Sequence, residues 1–317
     1  MLYKYNGWSS YCAFFSADYS QAFLKKCYQQ INLSHPEQKS FENCYPFIYY
    51  LEHGKIYYEQ AASSPIHIQP ILMFYGLIHI IKACILTVEP EYPETTSVLA
   101  HGVSARKRKK QQYHFFEDEV KIQKNGLFSL MAEKMFHMKQ LEGEKVSMGE
   151  LLQHIPELKE LFKQMKGKET FAAVTYSNGC FTMNTDVLDA FHMTKARFEE
   201  FYRSKSPIHA SFLPSEDGYI KFQLEQSGPE RIVPLKFHLY EKQYLFPLTK
   251  DVLFDFPELL LHYLLLYNLS MIARYETEWW SELIKMMPNE DYPFIQSFLN
   301  ITLSKGPYLI YEYLMNK

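Results

Sequence analysis

Two long apolar stretches, one near each end of the chain, limit what it can fold into. The first runs from Gln69 to Val88, and the second from Leu259 to Ala273 between Glu258 and Arg274. Surface this apolar must be buried in protein or placed in a membrane. The second stretch is shorter than the roughly 20 residues a span requires. The first is approached through Pro65, His67, Gln69 and Pro70. Both therefore read as helices of a protein core. Met1 to Ser10 shows no charged segment leading into an apolar one, so the expectation is a cytoplasmic chain, not integral to a membrane.

A core of that size suits the length, since 317 residues suffice for one large or two ordinary domains. Hydrophobic residues make up 47% and charged residues 22%, a globular balance. Aromatics reach 16%, with 25 Tyr and 24 Phe, a density that suits thick cores and partner-binding surfaces. The net charge of −3 excludes a polyanion-binding chain as a whole, so any nucleic-acid role must rest on a local patch. The five cysteines Cys12, Cys27, Cys44, Cys84 and Cys180 form no CxxC pair. They predict free thiols in a reducing compartment and neither a disulfide framework nor a zinc ribbon.

Local signals predict an α+β chain: a mainly helical body from both ends, with an inserted mixed α/β segment between. The expected divisions are 1–105, 106–245 and 246–317. Ser16 is placed to cap a helix whose apolar positions are Tyr19, Phe23, Cys27 and Ile31. Pro36 suits a first helical turn, Pro46 is expected to interrupt the aromatic run after it, and Glu89-Pro90 stops the apolar helix. Asn125-Gly126 and Asn178-Gly179, each between apolar runs, predict two β-hairpins. Ser147-Met148-Gly149-Glu150 reads as a capping box for a helix running toward Lys166. Strands are expected over 208–213, 219–224 and 232–240. The C-terminal part reads as a long helix over 259–275, with further segments around Trp280, Phe298 and Tyr311.

Three segments carry a resemblance. They are Pro70-Ile71-Leu72-Met73-Phe74-Tyr75-Gly76-Leu77, then Leu99-Ala100-His101-Gly102-Val103-Ser104, and Leu269-Ser270-Met271-Ile272-Ala273-Arg274-Tyr275-Glu276 with Trp279 beyond. Together they resemble the YaaC-like family of bacterial proteins, a family of unknown function that supplies no catalytic residues to carry over. The Tyr-containing helix, the Ala-His-Gly turn and the late Arg-Tyr helix also bear a looser resemblance to the HEPN superfamily. That resemblance implies RNA or nucleotide binding, with ribonuclease activity in the catalytic members. Their Arg-to-His spacing is met by Arg108–His114, Arg203–His209 and Arg231–His238, none of them within a long helical pattern.

The candidate site is a pair of polar stripes on the two apolar helices. Tyr75, His79 and Lys82 follow i, i+4, i+7, while His262, Ser270 and Arg274 fall on one i+4 row. If the stripes meet, they form a polar pocket favouring an anionic ligand or nearby carboxylates, with Glu276 and Glu278 as the candidates. The bland alternative is a structural network holding Arg274. Were a buried carboxylate its partner, Arg274→Ala would destabilise by roughly 2–4 kcal/mol. His101, at a turn with Gly102, suits an acid, a base or a backbone-bonded core histidine. The run Arg106, Lys107, Arg108, Lys109 and Lys110 is a candidate phosphate grip, with Tyr113, Phe115 and Phe116 for base stacking; its bland reading is a solvated loop.

No GxxxxGK[ST], GxGxxG, HExxH or GxSxG pattern is present. No cofactor and no metal ligand set is expected. The favoured expectation is a non-catalytic binding or regulatory protein acting on another cytosolic protein. The alternative is a HEPN-like RNA or nucleotide binder, with ribonuclease activity as one form of it.

Overall fold

The structure is a computed structural model describing residues 5–105, 113–215, 217–225 and 232–317. A 3-10 helix over Ser9–Phe15 leads to Ser16, whose hydroxyl accepts the Tyr19 amide at 3.4 Å and opens α1 (Ala17–Gln30). The helix turns Ser20, Leu24, Cys27 and Tyr28 inward, while Tyr19 and Ile31 stay exposed. The buried stripe is thus rotated from the expected one. Next come α2 (Pro36–Ser63) and α3 (Gln69–Leu86). Pro46 does not break α2. It lies on the exposed side of a continuous helix, where a missing amide donor leaves a carbonyl that water can reach. By length and composition α3 is apolar enough to cross a membrane, but most of it is buried.

Short elements follow: β1 (Val103–Ala105), β2 (Glu119–Ile122), α4 (Leu127–Phe136) and β3 (Lys145–Ser147). The strands form an antiparallel sheet in the order β1-β2-β3. Asn125-Gly126 is therefore no hairpin turn. Leu127, Phe128, Met131, Ala132 and Met135 are buried at helical spacing, so packing favours a helix after the glycine. Gly126, at φ 129°, lies so close to the Gly102 backbone that a Cβ would overlap it. The capping-box segment forms only α5 (Met148–Gln153). Pro156 starts a separate turn before α6 (Lys159–Lys166), because it has no amide to continue the first helix.

Then come β4 (Phe171–Ser177), β5 (Cys180–Asn184), α7 (Val187–Phe191), α8 (Lys195–Lys205), β6 (Ala210–Leu213), β7 (Tyr219–Leu224), β8 (Lys236–His238) and β9 (Gln243–Pro247). Asn178-Gly179 does join a hairpin, with Ser177 opposite Cys180 and both turn residues at positive φ. The strand expected over 232–240 is shorter, being β8 alone. All pairings are antiparallel, in the order β6-β7-β5-β4-β9-β8. Phe198 and Tyr202 of α8 pack on this sheet through Phe246 and Phe222. The chain ends with α9 (Glu258–Tyr275), α10 (Thr277–Met286) and α11 (Asp291–Met315). Phe298 and Tyr311 lie on this one last helix, which continues through Pro307.

The result is an α+β fold with helices at both ends. The chain falls into two compact units. One is Gly149–Leu261, which holds the six-stranded sheet. The other joins the described residues up to Met148 with His262–Lys317, so helices from both ends share one core. In that core α2 and α3 approach closely at two glycines. A Cβ on Gly76 would lie 2.9 Å from the Tyr58 ring and 3.0 Å from Tyr57 Cβ, and one on Gly54 would overlap Ile80. That approach positions the candidate site.

Candidate functional site

Tyr75, His79 and Lys82 lie half-buried on one face of α3, as their spacing requires. Because Gly54 and Gly76 bring the helices together, this face meets Tyr50, His53 and Tyr57 of α2. His79 stacks on Tyr57 with ring centroids 5.5 Å apart and lies 5.3 Å from His53. The Lys82 ammonium sits 5.7 Å from the Tyr50 ring centroid.

From α9, Arg274 reaches the same face. Its Nε donates to the Ser270 carbonyl at 3.0 Å and its Nη1 to Tyr75 Oη at 3.2 Å. Its Nη2 contacts Ser270 Oγ at 3.4 Å and Met271 Sδ at 3.2 Å. Every one of these partners is neutral. Neither Glu276 nor Glu278 pairs with Arg274 among the described residues. Glu276 instead takes the N-cap position of α10.

His101 completes the group. Gly102, at φ 77°, turns the chain so that the His101 carbonyl accepts the Tyr263 hydroxyl at 2.8 Å. Its imidazole packs edge-on against Phe74, Tyr75 and Tyr267, with centroids 5.1, 6.4 and 5.8 Å away.

The stripes therefore meet at Tyr75 and Arg274, with Ser270, His101, His79 and Lys82 around them. His262 does not join them. It is fully buried, with Nδ1 2.9 Å from Thr302 Oγ1 and its ring stacked on Phe298 of α11. The Ser270 hydroxyl donates to the Tyr267 carbonyl at 2.8 Å, which ties it into its own helix.

The electrostatics follow from burial and from two cations, Lys82 and Arg274, that pair with no carboxylate among the described residues. Burial, then Lys82 and His53, pushes the His79 imidazole down to about 4. Burial, then Arg274 and Lys82, lowers His101. Burial alone lowers Lys82. Burial thus favours the uncharged form of both imidazoles.

The other sequence candidates fare differently. Arg106, Lys107, Arg108, Lys109 and Lys110 lie outside the described residues. The rings proposed to stack bases beside them are engaged within the fold. Phe115 is buried, Phe116 packs on Phe294 at 4.9 Å, and Tyr113 packs on Trp279 at 4.4 Å. Arg203 lies on α8 and His209 beyond its end, so that pair shares no helix. All five cysteines are free thiols. Among the described residues, no three His, Cys, Asp or Glu side chains cluster as metal ligands.

Sequence reasoning missed Tyr50, His53 and Tyr57. Their i, i+3, i+7 spacing is a usable signal, obscured by the expectation that Pro46 interrupts the aromatic run.

With the geometry in place, comparison with known proteins adds one result. The pattern described as YaaC-like Protein matches residues 12–314. The chain belongs to the YaaC-like family. No curated protein and no solved structure matches it. The match runs through α3, the His101 turn and α9 alike, so the elements that build this cluster in the YaaC-like chain all lie within the family pattern.

Proposed function

We propose that this YaaC-like protein is a non-catalytic, cytoplasmic binding or regulatory protein that engages another protein through α2. The observation that carries this reading is an aromatic stripe on that helix. Phe41, Tyr45, Tyr49 and Ile56 are 68%, 54%, 54% and 50% exposed. They share one side of α2, and the Tyr45 and Tyr49 rings lie 6.0 Å apart. Large rings with few rotatable bonds are effective interface anchors, and a protein rarely leaves several together in water. The tied Ser270 hydroxyl adds to a non-catalytic reading.

The test is affinity recovery of the tagged protein from cell extract, with and without RNase, beside a Tyr45→Ser/Tyr49→Ser variant. A near-stoichiometric protein that survives RNase and is lost with the variant supports the reading. Turnover of a substrate that disappears when one polar residue is replaced would end it.

A second reading, a HEPN-like RNA or nucleotide binder, draws support from Arg274 beside His101. Under it, purified protein carries material absorbing near 260 nm, and neutralising Arg106 to Lys110 flattens the salt dependence of RNA binding. Salt-independent or absent RNA binding would remove it.

A further inference from the structure

Several lysines of this protein pair with carboxylates. Lys39 meets Glu91 at 2.7 Å, Lys159 meets Glu241 at 2.6 Å, Lys163 meets Glu169 at 2.7 Å, and Lys205 meets Asp255 at 3.1 Å. Lys82 and Arg274 have neutral partners instead. Both are half-buried, both border the same face, and neither contacts a carboxylate among the described residues. Withdrawing a cation from water without a counter-charge is unfavourable.

The groups around them are arranged for recognition. Arg274 is fixed by the Ser270 carbonyl and the Tyr75 hydroxyl, so its planar fork is oriented before any ligand arrives. His79 Nδ1 is buried and makes no hydrogen bond among the described residues. The walls are flat: Tyr50 under Lys82, Tyr57 stacked on His79, and Tyr75 beneath the Arg274 guanidinium at 5.8 Å.

We propose that this face of α3, closed by Arg274 and the His101 turn, binds a small-molecule oxyanion, a carboxylate or a phosphate ester, carried on a planar ring. Arg274 and Lys82 hold the oxyanion. Tyr50, Tyr57 and Tyr75 flank the ring, and the uncharged His79 offers a hydrogen bond to its polar edge. This goes beyond the protein-binding reading, because it uses side chains of α3 and α9 and not the exposed stripe of α2.

The experiment is calorimetric titration of the full chain with phenyl phosphate, benzoate and inorganic phosphate, with benzyl alcohol as the uncharged control. The His79 and His101 ring protons are followed by NMR at fixed pH. The wild type is expected to bind at least one aromatic oxyanion, more tightly than inorganic phosphate and far more tightly than benzyl alcohol, with both rings shifting. Preference for phenyl phosphate or for benzoate assigns the oxyanion, and either supports the site. Lys82→Gln and Arg274→Gln should each weaken binding by about tenfold or more, since each removes a charge-assisted contact. Tyr45→Ser/Tyr49→Ser should leave it unchanged, so loss of the protein partner and loss of the anion are separate outcomes. The proposal is overturned if no aromatic oxyanion binds the wild type, or if binding survives Lys82→Gln undiminished. Among the described residues Lys82 contacts the Tyr50 ring and no hydrogen-bond partner, so that variant decides the matter even if Arg274→Gln fails to fold.

Discussion

Arg274 Nη1 lies 3.2 Å from Tyr75 Oη, so the late apolar helix donates a charged hydrogen bond to a phenol on the early one. The two residues stand 199 positions apart in the chain. A cation whose partners are all neutral behaves unlike one locked to a carboxylate, and the difference is measurable.

Among the described residues, removing Arg274 strands no buried acid. Arg274→Ala should therefore destabilise by about 1 kcal/mol, the scale of ordinary hydrogen bonds, and not by the several kcal/mol of a broken buried ion pair. Urea unfolding of the wild type and the variant measures this. A loss above about 3 kcal/mol would mean that an acidic partner is exposed by the change.

Gly76→Ala should destabilise by about 1–3 kcal/mol, although alanine favours a helix. The added methyl meets Tyr57 Cβ at 3.0 Å and the Tyr58 ring at 2.9 Å, and both belong to the neighbouring helix. A lowered midpoint in thermal unfolding is the expected result. Raised stability would show that α2 and α3 are not in contact at this point.

Acid should weaken the fold in part through His79. Its folded value of about 4 lies below the ordinary 6.5. Below pH 6.5 the unfolded chain takes up a proton there while the folded chain does not, so stability falls as pH drops toward 4. His101 and His154, both lowered chiefly by burial, act in the same direction. The urea midpoint of His79→Gln should drop less between about pH 7 and pH 5 than that of the wild type. Equal drops would contradict this.

In the other unit, Gly179→Ala should cost about 1 kcal/mol, the penalty for placing a side chain at positive φ. Gly179 sits at φ 78° with no atom within 4 Å of the added methyl, so the cost is conformational and not steric. Replacing Gly179 with Asn, which tolerates this region better, should recover part of the loss, as read by thermal unfolding.

The helical frame was legible because α3 and α9 are apolar on nearly every side, a pattern that only burial satisfies. The two Asn-Gly pairs show where local reading stops. At Asn178-Gly179 alternating strands flank the turn, and a hairpin forms. At Asn125-Gly126 the residues beyond follow helical spacing, and the glycine serves a close backbone contact with Gly102. The candidate cluster was half legible. Tyr75, His79 and Lys82 share a face because their spacing follows the helix. The row from His262 to Arg274 did not hold together, because each i+4 step turns about 40° further around the axis. By the third step the row has turned about 120°, so His262 faces Thr302 while Arg274 faces Tyr75. The wall from α2 depends on where another helix docks, which no local spacing records.

The closeness of α2 and α3 has a practical consequence for any screen of this protein. Gly54 and Gly76 offer no side chain to a ligand, yet they set how near Tyr57 comes to His79. A library scored by lost binding would rank them beside Lys82 and Arg274, as though they touched the bound molecule. Only a parallel score for folded protein would separate residues that grip from residues whose use lies in being small.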